Sequence, residues 1–466
     1  MMKRMMKKSA HKCDMVKVFS VSSGRVYAYD GRTNRIMTVS DSLVRPTLKE
    51  TRQALYAYLK EKHHLPDKPL NEVIWEHSFE EYLAYIQTHI PTLLLQLTCR
   101  CNLDCDYCVY SGNYAHMMPH ANADMPFETI RRSIDFFAQH NADCEKVMVD
   151  LYGGEVLMCM ERLQYAVAYS RERMKGRQLS FRLTSNGVLL GREAAQWLEK
   201  NPDVRVNVTV NGPFHDLHRK MLSGQGSLER IMSNLRMIRA EFPNVWEKQI
   251  RFLSNIARPE HLKALAKFFH SELQRAPDII THIREQDGNE KIDAILRGEG
   301  AKNPRFDPAR AYLASFDPVL EGYFGNRMRA IHNRILYRKN DPGVIGSCFP
   351  IMDKLFVHYD GQFGLCETAC DKLILGDLEN GFDEEKLREL YEKSKELYNR
   401  SCAGCWAQRR CTVCFKDILN PDGSVADRIP ESFCHASKED ALQSLRVYAE
   451  IAERDPARLD AFVTNE

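Results

Sequence analysis

From residue 92 onward, short apolar runs alternate with helical periodicity, and this pattern constrains the fold more than any other feature of the chain. Runs at 93–98, 146–151, 180–184, 204–210, 250–255 and 279–283 have strand character. Segments 127–140, 163–175, 228–241 and 259–271 carry helical patterning between them. Strands separated by helices must be joined by crossovers, so neighbouring strands run parallel. The predicted fold class is therefore α/β, and six such units give a partial (β/α)6 TIM-like barrel rather than the closed eight-unit form.

Before the barrel, three alternating runs at 16–21, 25–29 and 35–39 are separated by Ser22-Ser23-Gly24 and by Asp30-Gly31-Arg32-Thr33-Asn34, which are turn signals. Helical patterning at 48–62 and 78–88 completes a small module of three strands and helices. After the barrel, a helical bridge carries Arg305, Tyr312, Phe316, Tyr323, Arg327, Arg334 and Tyr337, and is expected to be a packed helix pair with a solvated face. Residues 346 to about 437 read as loop-rich, and helical patterning then resumes. The expected divisions are 1–90, 91–286, 287–345, 346–440 and 441–466. Lys and Arg total 65 against 63 for Asp and Glu, so the chain lacks the charge footprint of a nucleic-acid binder. Residues 1–8 are basic but not continuously apolar, so neither a secretory signal nor a membrane span is expected there, and the protein is read as cytoplasmic.

Fifteen cysteines are many for such a chain, and under reducing conditions dense thiols point to metal rather than disulfides. They fall in two groups. The first is Cys99-Arg-Cys101-Asn-Leu-Asp-Cys105-Asp-Tyr107-Cys108, just past the first barrel strand, where barrel folds place their chemistry. Cys101, Cys105 and Cys108 are spaced C-x3-C-x2-C. Soft thiolates suit a cubane iron–sulfur cluster, and three ligands for four irons leave one iron open. A zinc site is the plainer alternative for a C-x2-C pair alone. The x3/x2 spacing, with an aromatic directly before the last cysteine, resembles the cluster loop of the radical S-adenosylmethionine superfamily.

That resemblance extends along the barrel. Tyr152-Gly153-Gly154-Glu155 after the second strand is similar to the family's Gly-Gly-Glu segment, where two glycines permit close backbone approach and Glu155 would meet the cofactor ammonium. Ser185-Asn186-Gly187 and Thr209-Val210-Asn211, with Arg219 beyond, resemble the segments that hold ribose and methionine carboxylate. Asn211 stands where Asp is commoner. The implied cofactors are a 4Fe–4S cluster and S-adenosyl-L-methionine, with Tyr107, Gly153, Gly154, Glu155, Ser185, Asn186, Thr209, Asn211 and Arg219 as cofactor contacts. An electron donor such as flavodoxin or ferredoxin is implied with them.

The second group reads Cys348-x12-Gly361-x4-Cys366, then Cys402-x2-Cys405-x5-Cys411-x2-Cys414, then Cys434. It resembles the SPASM extension of the superfamily, except that two residues rather than three precede Cys414. By that resemblance Cys402, Cys405, Cys411 and Cys434 enclose one auxiliary 4Fe–4S cluster. Cys348, Cys366 and Cys414 hold a second, with Cys370 a possible fourth ligand. Cys13, Cys144 and Cys159 read as packing thiols. The N-terminal module resembles a winged-helix-like peptide-recognition element, whose sheet edge can accept a leader peptide as an added strand. Together these features resemble thioether-forming maturases of the sactipeptide and ranthipeptide type. The implied reaction is oxidation of a ribosomally made precursor peptide to Cys thioether crosslinks. Carbon–carbon crosslinking, side-chain oxidation as in sulfatase maturation, and a non-catalytic zinc-binding peptide adaptor are the alternatives.

Overall fold

The computed structural model describes residues 16–31, 34–39, 78–114, 116–283, 292, 295, 307–336, 349–369, 371–402 and 404–462. The predicted helix at 48–62 and the cysteines Cys13, Cys348 and Cys370 lie outside the described residues, as do Arg305 and Tyr337.

Strands β1 (Val16–Ser20), β2 (Val26–Asp30) and β3 (Arg35–Val39) form the expected antiparallel sheet in the order β1-β2-β3. Helix α1 (Phe79–Ile86) starts at a capping box, in which Ser78 Oγ accepts from the Glu81 amide and Glu81 accepts from the Ser78 amide. The barrel follows: β4 (Thr92–Thr98), β5 (Leu103–Cys105), α2 (Phe127–Gln139), β6 (Lys146–Gly153), α3 (Met160–Arg173), β7 (Gln178–Ser185), α4 (Arg192–Glu199), β8 (Val204–Thr209), β9 (Arg219–Met221), α5 (Leu228–Glu241), α6 (Pro243–Lys248), β10 (Ile250–Ile256), α7 (His261–Phe268) and β11 (Ile279–His282). Strands β4, β6, β7, β8, β10 and β11 are all parallel, so the six predicted units are present.

Each of these strands alternates. Leu93, Leu95 and Leu97, Val147, Val149 and Leu151, and Val204, Val206 and Val208 are almost wholly buried in the main core. The alternate positions hold Gln96, Thr98, Asp150, Tyr152, Arg182, Asn207, Thr209 and Asn255. A parallel sheet covered on both faces reads as nearly continuous apolar residues. Here one face is apolar under the helices and the other is polar, which marks the concave face as the place for chemistry.

Helices α8 (Pro308–Ser315) and α9 (Pro318–Leu336) form the bridge. Its aromatics are packed: Tyr312 and Phe324 are fully buried, Tyr323 meets His282, and Arg327 pairs with Asp440. The chain then makes β12 (Leu355–Val357), β13 (Gln362–Gly364), β14 (Ile374–Asp377), β15 (Gly381–Phe382), α10 (Glu384–Cys402) and α11 (Glu431–Arg454). The segment read as loop-rich thus contains four strands and a 19-residue helix. Short strands of two to four residues give too little alternation to read.

The strands continue the barrel sheet. β12 pairs parallel with β4, Leu355 opposite Leu93, and the sheet order is β11-β10-β8-β7-β6-β4-β12-β13-β14-β15. The barrel is therefore open, and the second cysteine region is anchored beside its first strand. α1 packs on α10 through Phe79, Tyr82 and Tyr391, and the Tyr82 hydroxyl donates to the Pro350 carbonyl. Phe19, Tyr27 and Tyr29 of the N-terminal sheet pack instead on Leu442, Leu445 and Ala449 of α11. Among the described residues no helix is long and apolar enough to cross a membrane.

Candidate functional site

The cysteine loop leaves the C-terminal end of β4 and is held on two sides. On one side β5 pairs antiparallel with β9, placing Cys105 opposite Arg219. On the other, the end of β6 is in backbone contact with the loop: the Gly154 amide donates to the Thr98 carbonyl at 3.0 Å and the Glu155 amide to the Arg100 carbonyl at 2.8 Å. A Cβ on Gly153 would overlap the Thr98 carbonyl, and one on Gly154 would overlap the carbonyl of Arg100 and lie 3.1 Å from the Cys101 nitrogen. The two glycines let the second strand's end touch the backbone of the cysteine loop itself.

Cys101, Cys105 and Cys108 are withdrawn from water. Burial raises all three thiols, Cys101 to about 11 and Cys108 to about 12, and Cys108 is raised further by the neighbouring charges of Cys105 and Cys101. Cys108 Sγ lies 3.6 Å from His120 Nε2, and Cys101 Sγ lies 4.0 Å from Asn186 Nδ2. Cys99 is buried beneath the loop, its carbonyl 3.0 Å from His120 Nδ1.

Arg219 supplies the opposing charge. It is 8% exposed, and its Nε has no hydrogen-bond partner among the described residues. Burial favours its neutral form, but Tyr107, Cys105 and Cys108 outweigh burial and its net shift is upward. A buried guanidinium needs a compensating anion. Among neutral thiols the Glu155 carboxyl, itself tied to three donors, lies within its field, and thiolates add several closer counter-charges. The donor set therefore fits a thiolate-bound cluster: three soft ligands in mutual electrostatic reach, with a buried cation beside them.

The remaining predicted contacts surround this loop. Glu155 is wholly buried and accepts from Ser185 Oγ at 2.8 Å, the Asn186 amide at 2.7 Å and the Leu157 amide at 3.1 Å. Burial raises its carboxyl, and these donors together with Arg219 oppose the rise. Its geometry is that of a bracket between the ends of β6 and β7. Asn186 Nδ2 donates to Asn102 Oδ1 at 2.7 Å, tying the third strand's end to the cysteine loop. Asn211 Nδ2 and Arg219 Nη1 both donate to the Tyr107 hydroxyl, at 2.8 and 3.3 Å, and Asn211 Oδ1 accepts from the Asn255 amide. Thr209 is buried at the end of β8.

In the second region, Cys402, Cys405, Cys411 and Cys434 line one cavity with Ser437 and Lys438. Burial raises the Cys402 thiol, and Cys411, Cys405 and Cys434 add to the rise. Cys414 lies within electrostatic reach of Cys366, and both are raised by burial. Beside them Phe349 packs on Phe415 with ring centroids 5.4 Å apart. Among the described residues, no three Cys, His, Asp or Glu side chains gather as ligands of a single metal ion.

Tyr152 and Tyr110 stand between the two regions. Burial raises the Tyr152 phenol, as do Glu367, Cys108 and Cys366, so Tyr152 senses both cysteine sets. Tyr110 lies 6.4 Å from it, ring to ring, and donates to the Glu367 carbonyl at 2.8 Å. The signal that finds Tyr152 is its register, because it occupies the polar, concave face of β6. Cys144 and Cys159 lie away from both sets, packed against the main core.

Comparisons with known proteins agree with this geometry. Residues 95–253 match the family model of the Radical SAM superfamily. An uncharacterized protein of Methanocaldococcus jannaschii is 28% identical over 136 residues, 29% of this chain and 44% of that protein. An uncharacterized protein of Synechocystis is 30% identical over 157 residues, 31% of this chain and 37% of that protein. The chain thus matches less than half the length of these curated relatives. Among solved structures, anSMEcpe with bound AdoMet superposes with a TM-score of 0.57 at 18% identity, covering 80% of this chain and 97% of that one. The same protein with AdoMet and the Cp18Cys peptide gives 0.51 at 20% identity, covering 79% and 98%.

Proposed function

We propose that this chain, whose residues 95–253 form a radical SAM domain, is a peptide maturase that oxidises a ribosomally made precursor to Cys thioether crosslinks. One observation carries the reading. The same sheet holds a three-thiol loop beside a buried arginine whose Nε has no hydrogen-bond partner among the described residues and, on the flank of its first strand, the segment leading to a cavity lined by four further thiols. A chain that only needed to bind zinc has no use for the first arrangement.

In this reading Cys101, Cys105 and Cys108 hold a 4Fe–4S cluster, which supplies one-electron reduction of S-adenosylmethionine to a 5′-deoxyadenosyl radical. Arg219 compensates the thiolates, and its free Nε–H is available to a cofactor carboxylate. Glu155 holds Ser185 and Asn186 against the cysteine loop, which keeps the strand ends at fixed spacing. Tyr107 is clamped from two sides, so the loop enters the reaction pre-organised. Cys402, Cys405, Cys411 and Cys434 would hold one auxiliary cluster, and Cys366 and Cys414, with Cys348, another, giving the chain a route for removing an electron. The anSMEcpe structure was also determined with the Cp18Cys peptide, which fits a peptide substrate. The outer edges of β1 and β3 offer backbone groups for its leader.

The test is anaerobic reconstitution with iron and sulfide, reduction, and incubation with S-adenosylmethionine and a cysteine-containing precursor encoded near the gene. The expected products are 5′-deoxyadenosine and a peptide lighter by two hydrogens per crosslink, with cysteine blocked. A two-hydrogen loss with cysteine still alkylatable would point to carbon–carbon crosslinking or side-chain oxidation. Absence of 5′-deoxyadenosine would overturn the reading altogether.

A further inference from the structure

A buried histidine outside the cysteine loop connects the groups that grip it. His215 is 0% exposed, in the helical turn after β8. Its Nδ1 accepts from the Asn211 amide at 3.2 Å. An imidazole nitrogen that accepts carries no hydrogen, so the proton of neutral His215 sits on Nε2, 3.1 Å from Ser227 Oγ. Burial, and then the charge of Arg219, hold its pKa well below the usual value, so this neutral tautomer is the one present. Ser227 Oγ in turn donates to the Arg219 carbonyl at 2.7 Å.

The partners of these atoms close a ring. Asn211 and Arg219 both donate from their side chains to the Tyr107 hydroxyl. Their backbones are joined through His215 and Ser227. The circuit runs from the Tyr107 hydroxyl through Asn211, His215, Ser227 and Arg219 and back to Tyr107, crossing between the ends of β8, β9 and the cysteine loop.

The local sequence gives up something for this circuit. Ser227 occupies the residue before α5, where a serine side chain ordinarily caps the helix, yet it makes no side-chain cap. The exposed helix amides are met instead by Asp216, whose Oδ1 accepts from the Ser227 and Leu228 amides at 2.8 and 2.9 Å. Gly226 leaves room for this carboxylate, which a Cβ at that position would overlap. Asp216 thus frees the Ser227 hydroxyl for the link to Arg219.

We infer that His215 is a positioning residue that, through Ser227 and Asn211, fixes Tyr107 and hence the segment carrying Cys105 and Cys108. It deepens the proposed function, resting on it only for the cofactor readouts below. His215→Leu breaks the links to Asn211 and Ser227, and Ser227→Ala breaks the links to His215 and to the Arg219 carbonyl. His215→Gln can keep both, its amide oxygen accepting from Asn211 and its amide nitrogen donating to Ser227.

The first readout is amide hydrogen exchange of residues 103–108 in the metal-free full-length chain, which does not depend on any cofactor. Exchange in His215→Leu and Ser227→Ala should rise about tenfold, the effect of losing one net hydrogen bond. His215→Gln should stay near wild type, and the double variant should exchange no faster than His215→Leu, because the residues act in series. The second readout is S-adenosylmethionine affinity and the spectrum of the reduced, reconstituted protein. His215→Leu and Ser227→Ala should bind about tenfold more weakly with an altered spectrum, and His215→Gln should restore both. If His215→Leu fails to fold, Ser227→Ala and His215→Gln carry the test. Unchanged exchange at 103–108 in Ser227→Ala, or fully additive effects, would overturn the inference. A wild-type protein that takes up no cluster would overturn the proposed function instead and leave the exchange test standing.

Discussion

Replacing Gly154 by alanine tests the claim that the glycines serve the cysteine loop. The new Cβ would lie 2.6 Å from the Arg100 carbonyl carbon and overlap its oxygen, and that neighbour is backbone, which cannot rotate away. Overpacking of this kind costs about 1–3 kcal/mol. Relief requires the loop to retreat, which breaks the Gly154-to-Thr98 and Glu155-to-Arg100 hydrogen bonds at about 0.5–1.5 kcal/mol each. The total, about 2–6 kcal/mol, falls on the few residues that set the spacing of Cys101 from Cys105 and Cys108. The chain escapes most cheaply by letting that loop move, so cluster retention should suffer before the fold does. Iron content after reconstitution should drop by about four atoms, one cubane's worth, with 5′-deoxyadenosine formation abolished and the far-ultraviolet circular dichroism unchanged. Gly191→Ala is the matched control: nothing lies within 4 Å of its added Cβ, and as a helix N-cap it should cost at most about 1 kcal/mol. Full iron loading and wild-type cleavage in Gly154→Ala would refute the reasoning.

Arg219→Met should change sign with metal content: in the metal-free chain it removes a buried cation set beside protonated thiols and should raise stability by about 1–3 kcal/mol, whereas the loaded protein should lose its cluster faster, as thermal melts and chelator-release kinetics would record. The thiols of Cys101 and Cys108 are raised above the ordinary value of 9.0, so the metal-free fold favours their protonated form. Its stability contribution is complete below about pH 9 and is lost as pH rises towards 11–12, a loss that denaturant titration should find absent once the thiolates are metal-bound. Cys411→Ala should remove about four irons and leave 5′-deoxyadenosine formation without peptide largely intact. Gly31→Ala would place a Cβ 2.5 Å from the Trp406 carbonyl oxygen, where Arg409 also holds Gly31, and should speed hydrogen exchange in β1–β3 without altering iron content.

What could be read from the chain followed from the range of the interaction that encodes it. The six parallel strands are local runs of four to eight residues, and all are readable from the sequence. The bridge aromatics read as packing because an amphipathic helix repeats its pattern within a few turns. β12–β15 are too short to show a period, and their place beside β4 is a pairing across more than 250 residues that no local pattern carries. The three-cysteine spacing is legible because Cys101, Cys105 and Cys108 share one loop and lie close in sequence. The links of His215, Tyr110 and Tyr152 are not legible, since their partners at Ser227, Glu367 and Cys366 come from other turns of the fold.

The pairing of β12 with β4 brings two cysteine regions far apart in sequence to neighbouring strands of one sheet. Leu355, Phe356 and Val357 run alongside Leu93, Leu94 and Leu95, so the chain towards Cys366 leaves the same sheet whose next strand end begins the first cysteine loop. Tyr110, just past Cys108, reaches the Glu367 carbonyl directly, and Tyr152 on the neighbouring strand lies within the field of Cys108 and of Cys366. The separation of the two sets is thus fixed by a hydrogen-bonded ladder and a tyrosine contact rather than by a hinge. A slip of β12 by one residue would exchange the faces of Leu355, Phe356 and Val357, all three of which are buried, so the register of this ladder is strongly held.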